Sequence, residues 1–218
     1  EGHASRFRAR SQGRWTVPLV LRFPYGGGVR ALEHHSEARE SFYAFPGIKV
    51  VVPSGPRNAR ALLAAAIRDP DPVVFMEPKR SYRAFREEVP DEPEVLPIGT
   101  AQVVRDGRDL TVVSWGAMMR PVLQAVEEAS ERTGASIEIV DLLTLNPLDA
   151  ATIAASVKKT GRAVVVQESP RSFGIGSEVV ARINDEVLLY LEAPVKRVTG
   201  FDVVTPYFGR EAGYIPTA

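Results

Sequence analysis

Cysteine is absent from this 218-residue sequence, which excludes disulfide bonds, thiolate metal sites and cysteine nucleophiles. The same absence is consistent with a reducing compartment, so we expect a cytoplasmic location. Net charge is absent too, because 27 basic residues balance 27 acidic ones. This balance argues against the electrostatic surface of a nucleic-acid-binding or membrane-surface protein. No apolar run in the sequence approaches the length that a transmembrane helix needs.

What remains is the composition of an ordinary globular protein. Hydrophobic residues make up 44% of the chain and charged residues 25%. The length suits one large or two small α/β domains of about 100 residues each. The chain begins at Glu1 rather than at methionine and ends with Tyr214–Ala218, which is typical of the approach to a further helix. We therefore expect a fragment of a longer protein.

Apolar runs and helical periodicities alternate along the chain, which predicts two α/β units with parallel sheets. The predicted strands are 17–22, 48–52, 73–76, 110–114, 137–140, 163–167 and 195–198. The predicted helices are 37–44, 56–68, 121–134, 147–157 and 176–190. Between the two units, charged residues interspersed with prolines predict an extended polar linker.

The adjacent His34 and His35 are the clearest candidates for chemistry. They follow a glycine turn and precede Ser36 and Glu37 at a predicted helix start, where the helix dipole favours anions. Imidazole titrates near neutral pH and suits proton transfer. A polar segment that only caps the helix explains the same residues, and composition alone favours that interpretation. Adjacent histidines without cysteines are poorly spaced for a zinc site.

Three further loops are each open to two interpretations. Gly26–Gly28 can cradle a phosphate or form a tight turn. Glu168–Gly176 joins a strand to a helix, where α/β folds bind ligands, but it suits packing on another subunit equally well. Asp69–Pro72 follows a helix end whose unpaired carbonyls can bind a hard cation, although a plain turn is the default.

Taken together, several stretches resemble one family. They are Val17–Arg22, His34–Glu37, Phe45–Pro53, Ala66–Lys79, Ile139–Leu142 and Glu192–Gly200. In their order and spacing they resemble the beta subunit of thiamine-diphosphate-dependent 2-oxo acid dehydrogenases, from Val17 to the last residue. The Glu77–Arg83 pattern looks closer to the branched-chain type than to the pyruvate type, which is the alternative.

The resemblance implies an α/β, transketolase-like fold with mainly parallel sheets. Residues 1–82 would be the later part of a pyrimidine-binding domain, 83–108 a linker, and 109–218 a C-terminal transketolase-like domain. Such subunits form an α2β2 heterotetramer in which the alpha subunit holds most of the thiamine diphosphate and its magnesium. The implied reaction is oxidative decarboxylation of a branched-chain 2-oxo acid, with acyl transfer to a lipoyl group on the acyltransferase core.

The resemblance also assigns roles to individual residues. His35 matches the family's active-site histidine, which orients the substrate and helps proton transfer, and His34 is its structural neighbour. A monovalent-cation site made of main-chain carbonyls, expected to bind potassium, maps onto Leu19, Ala66, Ile67, Asp69 and Asp71. This cation would help to hold the loop that carries His35 in place.

One departure from the family pattern limits these implications. The family's catalytic glutamate, and the aromatic residues that stack on the cofactor ring, lie upstream of the region that begins here. The chain alone is therefore not expected to complete a cofactor site. Two other interpretations stay open. One is a relative of transketolase or deoxyxylulose-phosphate synthase, against which the Glu77–Arg83 pattern argues, and the other is a non-catalytic assembly module.

Overall fold

The structure of the protein, a computed structural model, describes residues 2–30, 37–92 and 94–218. The α-helices in these ranges are α1 (Ala4–Arg10), α2 (Pro56–Arg68), α3 (Met119–Thr133), α4 (Ala150–Thr160) and α5 (Ile175–Val187). The strands are β1 (Val20–Tyr25), β2 (Lys49–Val51), β3 (Val73–Pro78), β4 (Gln102–Arg105), β5 (Leu110–Ser114), β6 (Ile137–Asp141), β7 (Thr144–Asn146), β8 (Ala163–Pro170) and β9 (Lys196–Gly200). Short 3-10 helices lie at Glu40–Phe42, Lys79–Ser81, Gly116–Met118, Leu188–Tyr190 and Phe208–Gly213. No helix within these ranges combines the length and the apolar surface that a bilayer crossing requires.

The first sheet joins the two halves of the chain. Its strand order is β1-β3-β2-β7, and β1, β3 and β2 run parallel. Strand β7 comes from the second half of the sequence and pairs antiparallel with β2. The side-chain amide of Asn146 in β7 donates hydrogen bonds to the carbonyl oxygens of Phe45 (3.0 Å) and Ile48 (2.6 Å). This sheet therefore fixes the second half of the chain against the first.

The second sheet has the order β4-β6-β5-β8-β9. Strands β6, β5, β8 and β9 are parallel, and β4 is antiparallel to β6. Strand β4 lies within the segment predicted to be a linker. Its Val103 and Val104 are 47% and 45% exposed, so no alternation of buried and exposed side chains marks this strand in the sequence. The expected α/β class with mainly parallel sheets is confirmed.

Alternating side chains of the second sheet contribute to two hydrophobic cores. Val113 of β5 packs in a cluster with Val157 of α4, whereas its neighbour Val112 packs in a separate cluster with Val126 of α3. This is expected, because successive side chains of a strand point to opposite faces of the sheet. The cluster around Val113 also includes Val50 of the first sheet. One apolar core is thus continuous across both halves of the chain.

The helix predicted over 37–44 is wrong. Only the 3-10 turn Glu40–Phe42 forms there. Ala38 and Glu40 are buried, whereas Phe42 is exposed. Buried residues two positions apart do not form a helical face, which needs a spacing of three or four. Ser36, the predicted cap of this helix, lies outside the described residues.

Gly116 lies where the two halves meet. Its φ of +56° favours glycine, and a β-carbon there would lie 2.5 Å from the Tyr25 hydroxyl oxygen and 2.9 Å from Val52 Cγ1. Gly134, which ends α3, has a φ of +72° but no described atom within 4 Å of such a β-carbon. We expect Gly134→Ala to lower the free energy of unfolding by about 1–2 kcal/mol, from backbone strain alone.

Gly116→Ala should lower the free energy of unfolding by about 1–3 kcal/mol more than Gly134→Ala does, because overpacking adds to the same backbone strain. Urea unfolding of the purified chain and of the two variants measures the difference. Equal losses in the two variants would contradict the close packing of Tyr25 and Val52 around Gly116.

Candidate functional site

A glycine-rich segment follows the carboxyl end of β1, and we call its residues 26–30 the glycine loop. Gly26 and Gly28 have left-handed backbones, with φ of +89° and +85°. A β-carbon on Gly26 would lie 3.2 Å from Glu168 Oε1, and one on Gly28 would lie 3.1 Å from Arg80 Cδ. Glycine is therefore favoured at both positions, for the backbone conformation and for the close approach of these charged side chains.

Backbone N–H groups of the glycine loop donate to two carboxylates. The N–H group of Gly27 donates to Oε1 of Glu168. Gly28 and Arg30 donate to the two oxygens of Glu211, at 2.7 Å and 3.0 Å respectively. N–H groups that converge in this way form a concave anion site. The anions here are the chain's own carboxylates, so a phosphate does not fit among these N–H groups.

Both carboxylates come from the second half of the chain. Glu168 belongs to β8 and is 5% exposed, and Glu211 lies in the 3-10 helix Phe208–Gly213 and is 2% exposed. A buried carboxylate is unfavourable unless hydrogen bonds or an opposite charge compensate it. The glycine loop supplies hydrogen bonds, and Arg80 Nη2 lies 3.7 Å from Glu168 Oε2. Charge-assisted hydrogen bonds therefore hold the glycine loop against the second half of the chain.

The chain is also held on the far side of residues 31–36. The Gly26 N–H group donates to the carbonyl oxygen of Glu37 at 3.4 Å, so the residues on either side of 27–36 are hydrogen-bonded to each other. Three residues after Glu37, the buried Glu40 accepts a hydrogen bond from Trp115 Nε1 at 3.1 Å. Trp115 directly follows β5 in the second half. Described residues on both sides of 31–36 are thus bonded to the second half of the chain.

Burial shifts the proton equilibria of this cluster. It raises the pKa of Glu40 to about 7, against the opposing effect of the hydrogen bonds that this carboxyl group makes. Burial also raises the pKa of Glu168, which Arg80 and the Gly27 N–H group oppose. The pKa of Tyr25, which precedes the glycine loop, is raised by burial first and then by the charges of Glu40 and Glu168. Glu40 therefore exchanges its proton near neutral pH.

The predicted catalytic histidine and its neighbour lie outside the described residues. His34 and His35 both fall in the range 31–36, and their assignment as structural neighbour and active-site histidine stays a prediction. The structure describes the chain on either side of them. Arg30, five residues before His35, and Glu40, five residues after it, are each hydrogen-bonded to the second half.

The residues predicted to bind potassium lie near the amino ends of β1 and β3. The carbonyl oxygen of Leu19 accepts from the Val73 N–H group at 2.8 Å. The carbonyl oxygen of Ala66 accepts from the Asp69 N–H group at 3.3 Å. Each of these oxygens has a second lone pair for a cation. Lys49 Nζ lies 2.7 Å and 2.6 Å from the carboxylate oxygens of Asp69, so a protein cation is already present at this edge.

These contacts do not test the potassium site, which stays a prediction for Leu19, Ala66, Ile67, Asp69 and Asp71. Ile67 lies in the last turn of α2, and Asp69 caps that helix. The Asp71 N–H group donates to Asp69 Oδ1 at 2.9 Å. No group of three His, Asp or Glu side chains suited to a metal ion occurs in the described part of the chain.

Three residues of the Glu77–Arg83 pattern, which suggested a branched-chain substrate, have contacts within the chain. Arg22 Nε donates to Glu77 Oε1 at 2.7 Å, and the Tyr82 hydroxyl donates to the other oxygen of Glu77. Lys79 Nζ lies 4.7 Å from the centroid of the Tyr82 ring. These side chains therefore have partners within the chain without any substrate.

Models of two domain families match the two halves of the chain. The pyrimidine binding domain of transketolase matches residues 2–84, and the C-terminal domain of transketolase matches residues 99–218. The second match alone covers more than half of the chain. The chain belongs to the transketolase C-terminal domain family. The contacts of the glycine loop and Arg80 with Glu168 and Glu211 lie between its two transketolase domains.

Two relatives are similar along nearly the whole chain. The pyruvate dehydrogenase E1 component subunit beta of Acholeplasma laidlawii is 52% identical, over 98% of this chain and 65% of its own length. The subunit of the same name from Bacillus subtilis (strain 168) is 50% identical, over 99% of this chain and 66% of its own length. The chain thus spans 65–66% of the length of these relatives.

A solved structure shares the fold. It is a split gene transketolase, an inactive beta4 tetramer, and it matches with a TM-score of 0.74 at 24% sequence identity. The match covers 92% of this chain and 63% of that one. Together with the two domain matches, it confirms the transketolase-like fold that the sequence resemblance implies.

The sequence did not reveal the partners of the glycine loop. In the sequence, Glu168 directly follows the predicted strand 163–167, where α/β folds place functional groups, and this was the one usable signal. Nothing in the sequence pairs it with Gly27. Glu211 lies in a stretch without helical or strand periodicity, and the contacts of both residues are with backbone groups, which leave no side-chain pattern.

The pH dependence of stability tests the burial of Glu40. Because folding raises the pKa of Glu40 from 4.5 to about 7, the folded chain keeps a proton that the unfolded chain releases between these values. This group should therefore lower the free energy of unfolding as the pH rises through that window, by up to about 1.4 kcal/mol per pH unit. Glu40→Gln has no such proton and keeps an acceptor for Trp115, so this contribution should disappear.

Urea unfolding at a series of pH values measures the curves of the wild type, Glu40→Gln and Glu127→Gln. Glu127 is exposed on α3, and its variant should run parallel to the wild type. If the Glu40→Gln curve also runs parallel to that of the wild type, the claim that folding raises the pKa of Glu40 is wrong.

Proposed function

We propose that this chain is part of the beta subunit of the pyruvate dehydrogenase E1 component. That component decarboxylates pyruvate oxidatively and passes the acyl group to a lipoyl group. The observation that carries the proposal is the identity of 52% and 50% with two such subunits, over 98% and 99% of the chain. The matched residues span both transketolase domains.

Pyruvate replaces the branched-chain 2-oxo acid that the Glu77–Arg83 pattern favoured. The relatives favour the pyruvate alternative, since both carry pyruvate in their names. Within the Glu77–Arg83 pattern, Glu77 accepts hydrogen bonds from Arg22 and from the Tyr82 hydroxyl. The broader assignment, a beta subunit of a 2-oxo acid dehydrogenase, is common to both substrates.

The proposed enzyme uses thiamine diphosphate, which the described residues do not fit by themselves. The Gly27, Gly28 and Arg30 N–H groups of the glycine loop donate to Glu168 and Glu211, so they are not available to a diphosphate. Residues 2–30, 37–92 and 94–218 also contain no cluster of side chains for magnesium. We therefore assign the diphosphate and magnesium to an alpha subunit, the partner in an α2β2 heterotetramer.

In this proposal the chain contributes a histidine, together with strand β1 and the glycine loop that precede it in the sequence. His35 orients the 2-oxo acid and moves a proton during acyl transfer to the lipoyl group of the acyltransferase core, and His34 is its neighbour. Strand β1 connects the proposed potassium site, at its amino end, to the glycine loop at its carboxyl end. The segment 31–36 directly follows that loop.

Histidine substitutions in the full-length subunit, assembled with its alpha partner, test the proposal. We expect His35→Ala to slow acylation of a lipoyl domain from pyruvate by about 100-fold or more, because it removes a proton-transferring group. His34→Ala should lose less activity. His3→Ala is the matched control, since His3 is exposed ahead of α1, and it should keep the wild-type rate. Each rate is measured with pyruvate and with a branched-chain 2-oxo acid.

The outcomes separate the alternatives. We expect kcat/KM for pyruvate to exceed that for the branched-chain acid by about tenfold or more, since extra methyl groups in a small pocket cost at least that much. The opposite ranking would restore the branched-chain assignment. A larger loss in His34→Ala than in His35→Ala would move the catalytic role by one residue, and full activity in both would remove it from this segment.

A further inference from the structure

The contacts of the glycine loop with Glu168 and Glu211 fix the backbone itself. Glu211 uses one oxygen for the Gly28 N–H group and the other for the Arg30 N–H group. Glu168 uses one oxygen for the Gly27 N–H group and turns the other toward Arg80. A contact through both oxygens of a carboxylate sets the orientation of its partner as well as its position.

We propose that Glu211 and Glu168 are positioning residues for the active-site histidine. This inference rests on the proposed function, because it needs His35 as the acting group. Arg30 is the last anchored residue before the segment 31–36, so the two carboxylates set the direction in which the chain enters that segment. Both act through the backbone of the glycine loop and not by contact with the substrate.

Joining the two domains does not by itself require these carboxylates. An apolar contact of similar size is often neutral or more stabilising than a buried charge. The interface already has a continuous apolar core, which includes Val50 and Val113, and a separate polar bridge in which Ser54 donates to Asp141. The carboxylates add a fixed direction for the glycine loop. A catalytic group needs this, because a misplacement of about 1 Å can slow a reaction about 100-fold.

Glu211→Gln is the most informative substitution. An amide keeps the size of the carboxylate but has only one acceptor oxygen, so its NH₂ group faces an N–H donor and one of the two hydrogen bonds is lost. In the full-length subunit assembled with its alpha partner, we expect kcat for lipoyl acylation from pyruvate to fall about 100-fold. KM for pyruvate should stay close to the wild-type value, because the lost interaction does not bind substrate.

Asp141→Asn is the matched control. Asp141 is another buried carboxylate of the C-terminal domain, and it is bonded to the first domain through Ser54 but not to the glycine loop. We expect this variant to change the melting temperature of the assembly while kcat stays at the wild-type level. A role limited to joining the domains predicts similar kinetic losses in Asp141→Asn and Glu211→Gln.

A double variant distinguishes positioning from a general loss of stability. If Glu211 acts through the histidine, Glu211→Gln combined with His35→Ala should be no slower than His35→Ala alone. A second pair decides the matter if Glu211→Gln does not assemble. Glu168→Gln keeps an oxygen for the Gly27 N–H group and should retain most of the activity, whereas Glu168→Ala should lose it.

Several results would overturn the inference. They are wild-type kcat in Glu211→Gln, an equal loss from that substitution with and without His35, and equal activity of Glu168→Gln and Glu168→Ala. An inactive wild-type assembly, or full activity in His35→Ala, marks failure of the proposed function, and the inference fails with it. A fully active Glu211→Gln in an assembly that depends on His35 marks failure of this inference alone.

Discussion

The hydrogen bonds from the glycine loop to Glu168 and Glu211 are the contact on which the candidate site depends. They join the backbone of one transketolase domain to buried side chains of the other, so neither domain alone contains the arrangement. Both carboxylates are almost fully buried, and without the N–H donors they would lose hydrogen bonds that offset the cost of burial. The left-handed backbone at Gly26 and Gly28 belongs to the same constraint, because it lets the loop pass this close to Glu168 and Arg80.

The two sheets bring these partners together. The glycine loop leaves the carboxyl end of β1, and Glu168 lies near the carboxyl end of β8, which is where α/β folds usually place their functional groups. Strand β7 crosses from the second half into the first sheet, and the core around Val50 and Val113 fills the space between the sheets. The domains are thus held together by backbone pairing and apolar packing. The buried carboxylates bind the glycine loop, whose last residue, Arg30, directly precedes the segment that carries His34 and His35.

The sequence predicted the elements that have a strong pattern and a clear start or stop. Helix α2 has the predicted bounds 56–68, since Pro56 begins it, and β5 has the predicted bounds 110–114. Strands β4 and β7 were not predicted, because the neighbouring Val103 and Val104 of β4 are both exposed and the short β7 lacks a run of β-branched residues like the one that marks β2. The family resemblance supplied the transketolase-like fold. The partnership of Gly28 with Glu211 was beyond reach, since it joins a backbone group to a side chain 183 residues away.

Hydrogen exchange at the amides of Gly27 and Gly28, in the full-length subunit, measures most directly whether the C-terminal domain holds the glycine loop. Both amides donate to buried carboxylates, so they should exchange slowly, at rates close to those of the neighbouring strand β8. Exchange at the rate of an unprotected surface loop, while β8 stays protected, would contradict the account.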